Sequence, residues 1–222
     1  MGKKYGRKKD LSITGGMARW YNKNTKKSRL PEMQRYAQEV SKHIETGAHV
    51  LEIAPGPGYL SIALAEMGEY YVTGMDISAD FVDICKHNAA EAGVCNAEFI
   101  QGNASEMPFS DGSFDYIICS AAFKNFKEPV IALCEMFRVL KPNGTALIVD
   151  MNREATKADV DEELSRSGMK GFDKLFVGFS FRTFLKKNAY TENEFGEMIA
   201  QSGFPTYNIV KNGISLYVYC HK

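Results

Sequence analysis

The sequence predicts an α/β fold in which a mixed sheet of seven strands carries helices on both faces. Short apolar runs alternate with amphipathic stretches over most of the chain, the pattern of βα units feeding a parallel sheet. A glycine-containing loop joins the first apolar run to a helical one. Near the end, Asn212-Gly213 separates two strand-like runs and predicts a hairpin, which supplies the antiparallel strand.

Each element has its own signal. Pro31 stands where a helix start tolerates it, and Met33, Tyr36, Ala37, Val40 and Ile44 share one helical face, predicting a helix over 31–43 ahead of the sheet. Residues 49–54 form a compact apolar strand, and 60–67 carry helical spacing. A second strand over 70–75 leads to a helix over 79–92 closed by Gly93, and 97–101 make a third strand. The fourth strand is 114–119, followed by a helix over 128–140. The turn Lys141-Pro142-Asn143-Gly144 then introduces a fifth strand over 145–151. Thr191-Glu192-Asn193-Glu194 has capping-box spacing ahead of the stripe Phe195, Met198, Ile199, and Gly203 ends that helix. The last pair of strands is 206–210 and 214–220.

Composition narrows the function. Lys plus Arg balance Asp plus Glu at 27 each, so there is no global basic face for nucleic acid or an anionic membrane. The positive charge is nevertheless crowded into residues 1–30, where Asp10 is the lone acid. That basic arm reads as a solvated tail, as a recruiting patch for an anionic substrate, or as a cover over the site. The five cysteines lack CxxC spacing and the histidines do not cluster, which predicts free thiols, a reducing cytoplasmic setting and no metal site. No apolar run reaches the roughly 20 residues of a membrane span.

The chemistry concentrates in VLEIAPGPGYLSIALAE, beginning at Val50. Ala54, Gly56 and Gly58 lie between strand and helix, where a missing Cβ lets backbone approach a nucleotide-like ligand, as in Rossmann-like folds. Asp76 ends the second strand about twenty residues on, the place where a carboxylate accepts both hydroxyl protons of an adenosine ribose. Helix capping is its alternative role, but Ser78 and Asp80 are nearer the helix. Gly102-Asn103-Ala104 ends the third strand, where an amide can meet an adenine amino group. A dinucleotide fingerprint would need a third glycine where Ser61 stands, and its pyrophosphate has no use for Glu52 beside the loop. A cationic amino group does.

LEIAPGPG, the Asp76 turn, GNASEMPF, FDYIICSAAF and EMFRVLKPNGTALIVD resemble the class I S-adenosylmethionine (SAM)-dependent methyltransferases, especially their ubiquinone-methyltransferase-like small-molecule branch. The resemblance spans Tyr36 to Asp150, about half the chain. It implies SAM as cofactor and S-adenosylhomocysteine as product. It places Glu52 and the glycine loop on the aminoacyl end, Asp76 on the ribose, Ile77 on an adenine face and Asn103 at the adenine amino group. Aspartate is more usual at the Asn103 position.

Ligands of such sheets lie beyond the strands' carboxyl ends, so Ser120, Ala121, Ala122 and Phe123 are expected on the methyl-donor side. The Asn/Asp-Pro-Pro-aromatic run of nucleic-acid and protein amine methyltransferases is absent there, which predicts a small-molecule acceptor and no nucleic acid. Trp20, Tyr21, Phe123, Asn125 and Tyr190 are acceptor-pocket candidates by position, and core packing is the other reading of the aromatics. No catalytic base is assigned. Residues 152–190, rich in phenylalanine and including Arg182, are expected to form a substrate cap on a domain spanning 31–222. Two rival functions stay open: a catalytically silent SAM-binding module, and a nicotinamide-dependent oxidoreductase.

Overall fold

The computed structural model describes residues 5, 10, 12–166 and 188–222. Most of the expected 152–190 cap, Arg182 included, and much of the basic arm lie outside them. The described chain runs α1 (Gly15–Ser41), β1 (His49–Ile53), α2 (Tyr59–Glu66), β2 (Tyr71–Asp76), α3 (Ala79–Ala92), β3 (Ala97–Gln101) and β4 (Phe114–Ser120). A 3-10 turn (Phe123–Asn125), α4 (Pro129–Val139), β5 (Leu140–Met151) and α5 (Lys157–Arg166) follow. The chain closes with α6 (Glu192–Ile199), β6 (Thr206–Asn212) and β7 (Ser215–His221).

One seven-stranded sheet results, ordered β3-β2-β1-β4-β5-β7-β6. All neighbours from β3 to β5 are parallel, while β7 runs antiparallel to both β5 and β6, as the Asn212-Gly213 hairpin requires. The strand order reverses between β1 and β4, which opens a crevice at the strands' carboxyl ends, the place where open α/β sheets receive ligands.

Alternation along the strands divides the core. Leu51, Ile53, Ile117 and Cys119 face α4 and α6, joining Leu133, Met136, Phe195 and Met198. Val50, Tyr116, Ile118 and Leu147 face the other way, against Leu64 of α2 and Met33, Ala37 and Val40 of α1. Local signals fix the helix ends. Ser78 caps α3 by accepting from Phe81 N, Gly93 ends α3 in the left-handed region, and Thr191 with Glu194 forms both bonds of a capping box.

Two boundaries differ from the sequence reading. Helix α1 begins at Gly15 and continues through Pro31, although an interior proline removes a backbone donor at a cost of about 3 kcal/mol. The first half of α1 is held from outside: Tyr59 Oη donates to Asn22 Oδ1 at 2.7 Å, and Lys26 pairs with Glu91 of α3 at 2.7 Å. Strand β5 begins at Leu140, so the predicted turn is a bulge inside it. Phe114 pairs with Leu140 and Tyr116 with Thr145, which leaves Lys141 to Gly144 looped out, with Asn143 at φ 64°. Lys222 fastens this bulge through its backbone, Asn143 N donating to Lys222 O at 3.0 Å and Lys222 N to Gly144 O at 3.1 Å. Helix α5 falls inside the expected cap.

Gly58 is required by packing. It has φ +79°, and a Cβ there would lie 2.9 Å from Cys85 Sγ and 3.3 Å from Phe99 Cε1. Gly47 has φ +84° with nothing within 4 Å. Gly58→Ala should therefore lose about 1–3 kcal/mol of stability through strain and overpacking together. Gly47→Ala should lose less, and denaturant titration of both variants measures the difference.

Candidate active site

The cavity at the carboxyl edge is about 220 Å³ and is lined from three directions. Strand exits supply Glu52, Ala54, Asp76, Ile77, Asn103, Ala104 and Ser120, the loop after β1 supplies Gly56, and the α1 side supplies Tyr21, Arg29 and Met33. Backbone geometry is unusual at two of the exits. Ala54 (φ 56°) and Ala121 (φ 58°) occupy the left-handed region without being glycine. Each is tied to the neighbouring strand, Ala54 N to Met75 O at 2.8 Å and Ala121 N to Val149 O at 2.7 Å. Such conformations persist where the surroundings over-determine them, and they cluster at functional sites.

Glu52 is only 4% exposed. Its carboxylate accepts from Ser61 N at 2.9 Å and from Ser61 Oγ. Ser61 is the third residue of α2, and the N-cap Gly58 has no side chain to offer, so a strand carboxylate caps this helix from across the loop. Burial pushes the Glu52 carboxyl up to about 7; the Ser61 bonds oppose this and the nearby Asp76 charge adds to it.

Asp76 is 6% exposed and accepts from Gly56 N (3.1 Å) and Ser78 N (2.9 Å). Burial raises its pKa, against backbone hydrogen bonds from Ser78, Gly56 and Ile77. A carboxylate offers about four acceptor positions, so lone pairs remain for a diol. Among the described residues neither Glu52 nor Asp76 has an ion-pair partner.

Asn103 Oδ1 accepts from Ser105 N at 2.9 Å, closing a small turn at the exit of β3. Gly56 (φ +56°) has nothing within 4 Å of where a Cβ would be, and it borders the cavity. Gly58 does not border it; its missing Cβ makes room for Cys85 and Phe99 instead of a ligand.

The acceptor candidates divide. Tyr21 and Asn125 line the cavity, Tyr21 with its ring edge-on to Phe81 at 6.1 Å. Trp20 is 60% exposed and does not line it. Phe123 is fully buried, stacked on Phe195 at 5.4 Å, and Tyr190 packs edge-on against both rings, so these two are core residues behind the site. Arg29, Met33 and Phe126 are lining residues that the sequence reading did not select. Arg29 was counted in the basic arm, and only continuation of α1 through Pro31 could have placed it here.

The first part of α1 and the residues before it cover the crevice. Ser78 Oγ donates to Ile13 O at 2.7 Å, Gly15 N donates to Asp80 Oδ2 at 2.8 Å, and Arg19 lies 3.8 Å from Asp80. Asp10 and Ser12 also line the cavity. Among the described residues no cluster suited to a metal ion occurs, and no helix is long and apolar enough to cross a membrane.

A parallel sheet with a reversed last strand, a glycine loop after β1 and an acid ending β2 define a class I, Rossmann-like methyltransferase fold. The family model described as a methyltransferase domain matches residues 44–202, and the chain belongs to that family. Its sequence is similar to the demethylmenaquinone methyltransferase of Listeria monocytogenes, 38% identical over 112 residues, covering 50% of this chain and 47% of that protein. The enzyme of the same description from Geobacillus kaustophilus is 29% identical over 164 residues, 72% of this chain and 60% of its own length. The chain thus spans about half the length of the Listeria relatives it matches. In fold it is similar to a candidate SAM-dependent methyltransferase from Methanococcus maripaludis (TM-score 0.77, 22% identity, 100% of this chain and 97% of that one). It is also similar to a SAM-dependent methyltransferase from Aquifex aeolicus (TM-score 0.66, 20% identity, 86% and 97%).

The family implies SAM as cofactor, and the donor set fits it. Two desolvated carboxylates with no ion-pair partner among the described residues face a cavity bordered by an open glycine, which suits a ligand with an ammonium group and a ribose diol. Ser61, at the position of the dinucleotide glycine, is fully buried and holds Glu52, which disfavours a nicotinamide dinucleotide.

Glu52 gives a pH test with a defined sign. Its folded pKa lies above the ordinary 4.5, so its contribution to stability is complete below that value and is lost as pH rises through about 7. The ligand-free protein should therefore lose stability between about pH 5 and pH 8 relative to Glu52→Gln, read by denaturation midpoints. Affinity for S-adenosylhomocysteine should rise over the same interval in the wild type and stay flat in the variant, read by calorimetry. A flat wild-type profile would remove Glu52 from the ammonium site.

Proposed function

We propose that the chain transfers a methyl group from SAM to a small, electron-rich aromatic acceptor, of which a reduced demethylmenaquinone is the leading case. The observation that carries the reading is the convergence of Glu52, Asp76 and the open Gly56 on one cavity at the β1–β2 exits. The naming of the Listeria and Geobacillus relatives supports the acceptor class.

When bound, SAM supplies an electrophilic methyl group on a sulfonium. Glu52 holds the ammonium end by charge, and Asp76 accepts from the ribose hydroxyls with the lone pairs that Gly56 and Ser78 leave open. Ile77 and Ala104 provide apolar contact for the adenine, and Asn103 offers its amide to the base edge. Ala121, Ala122 and Phe126 wall the opposite end, excluding water from an in-line displacement whose rate depends on alignment. A quinone ring is a poor nucleophile, whereas its reduced dihydroxy form is electron-rich at the ring carbons; as the new C–CH3 bond forms the S–CH3 bond breaks, and the ring proton that the methyl group replaces is released. Asn125 is the amide placed to meet an acceptor oxygen, and Tyr21 on α1 closes the cover.

Incubation with methyl-labelled SAM and demethylmenaquinone kept reduced by dithionite should yield the labelled, ring-methylated quinol and S-adenosylhomocysteine in equal amounts. SAM binding without transfer would reject this acceptor, and tight NADH binding without SAM binding would reject the function altogether. Asp76→Ala should weaken S-adenosylhomocysteine binding by about 1–3 kcal/mol, the range for losing charge-assisted hydrogen bonds. Unchanged affinity in calorimetry would detach Asp76 from the ribose.

A further inference from the structure

Behind the acceptor wall lies a buried ion pair that the binding scheme does not use. Lys124 and Asp150 have side chains only 8% and 2% exposed, and Lys124 Nζ stands 2.8 Å from Asp150 Oδ1. The carboxylate does more than neutralise the ammonium. Its Oδ2 accepts from Lys124 N at 2.8 Å and its Oδ1 from Met151 N at 2.7 Å. Lys124 Nζ in turn donates to the carbonyl of Ala121.

These bonds converge on one short stretch. Ala121 holds a left-handed conformation, and its peptide is gripped on both sides, N–H to Val149 and C=O to Lys124 Nζ. Asn125 N then bonds to Ala122 O at 2.8 Å and Phe126 N to Phe123 O at 3.1 Å, completing the 3-10 turn. Ala121, Ala122, Asn125 and Phe126 are the members of this stretch that line the cavity. The pair therefore connects the end of β5 to the wall facing the methyl donor.

Stability alone gives a weak reason for such a pair, because desolvating two charges offsets most of their attraction and apolar replacements of similar volume are commonly as stable. Fixing a strained turn gives a specific one, since a buried, hydrogen-bonded charge has one low-energy arrangement. We infer that Lys124 and Asp150 are positioning residues: their buried pair sets the Ala121–Phe126 wall in the geometry that seats the acceptor against the methyl donor. This rests on the methyl-transfer reading above. Cofactor binding is assigned to Glu52 and Asp76 on other strand exits, so the two functions should separate.

The test is the paired variant Lys124→Met/Asp150→Asn, which removes both charges while the amide oxygen introduced at position 150 can still accept from the backbone N–H of position 124. Lys124→Gln/Asp150→Asn, which is also charge-free on both sides, is the substitute if the first pair fails to fold, because removing one partner alone would leave an uncompensated buried charge. The proposal expects a folded protein whose S-adenosylhomocysteine affinity stays within about threefold, while kcat for reduced demethylmenaquinone falls at least ~10-fold and KM for SAM is unchanged. Amide hydrogen exchange should accelerate in peptides covering 120–126 and stay as in the wild type over β1 and β2. Affinity and turnover falling together would mean that the pair supports the whole site, and would overturn the inference. So would turnover within about twofold of wild type, or unchanged exchange at 120–126. If the wild type methylates no quinol, the proposed function fails, and the exchange and affinity measurements still decide whether the pair fixes this wall.

Discussion

The structure is organised around two carboxylates held out of water at the carboxyl ends of β1 and β2, beside the crevice. Burying an acid without a cation is costly, and the protein lowers that cost with backbone N–H groups. Glu52 takes the N–H at the start of α2, a helix whose own cap position is glycine, and Asp76 takes one from the loop after β1 and one ahead of α3. The same bonds that keep the acids tolerable fix the glycine loop between the strands. Charge, loop and helix start are one assembly, and its unsatisfied remainder is what a ligand with a cationic end and a diol would complete.

This assembly also decides between cofactors that share a sheet. A dinucleotide needs close approach of backbone to pyrophosphate and a third small residue in the helix. Here that residue is Ser61, and its hydroxyl and amide are both committed to Glu52. Of the two glycines, Gly56 borders the cavity and Gly58 packs on Cys85 and Phe99. The motif thus serves ligand access and helix packing at separate positions, a division invisible in the spacing alone.

Where the determinants are local, the sequence discloses the structure. The apolar runs of β1 to β4, the Ser78 and Gly93 ends of α3, the capping box at Thr191 and the Asn212-Gly213 hairpin each carry their cause within a few residues. Pro31 misleads because a strong local signal is overridden by contacts from α2 and α3 that no local pattern records. Phe123 faces the core while Asn125 faces the cavity because successive residues of the 3-10 turn after β4 point about 120° apart, and Tyr190, from a separate segment, packs on Phe123 and Phe195. Lys124 is the least legible residue of all. Lysines are rarely buried, and its partner is 26 positions away.

The two sides of the cavity are built to different standards of rigidity. On the α1 side, the ion pairs to α3 are exposed: Arg19 with Asp80 at 3.8 Å, and Lys26 with Glu91 where both side chains are about half exposed. Solvent-screened pairs of this kind contribute little and weaken with salt. On the far side the wall hangs from a desolvated pair whose bonds cannot be exchanged for water without opening the core. A methyl donor must enter and leave once per turnover, while the acceptor's alignment must be reproduced each time. The solvent-screened ion pairs of the cover and the desolvated pair behind the wall match those opposite demands.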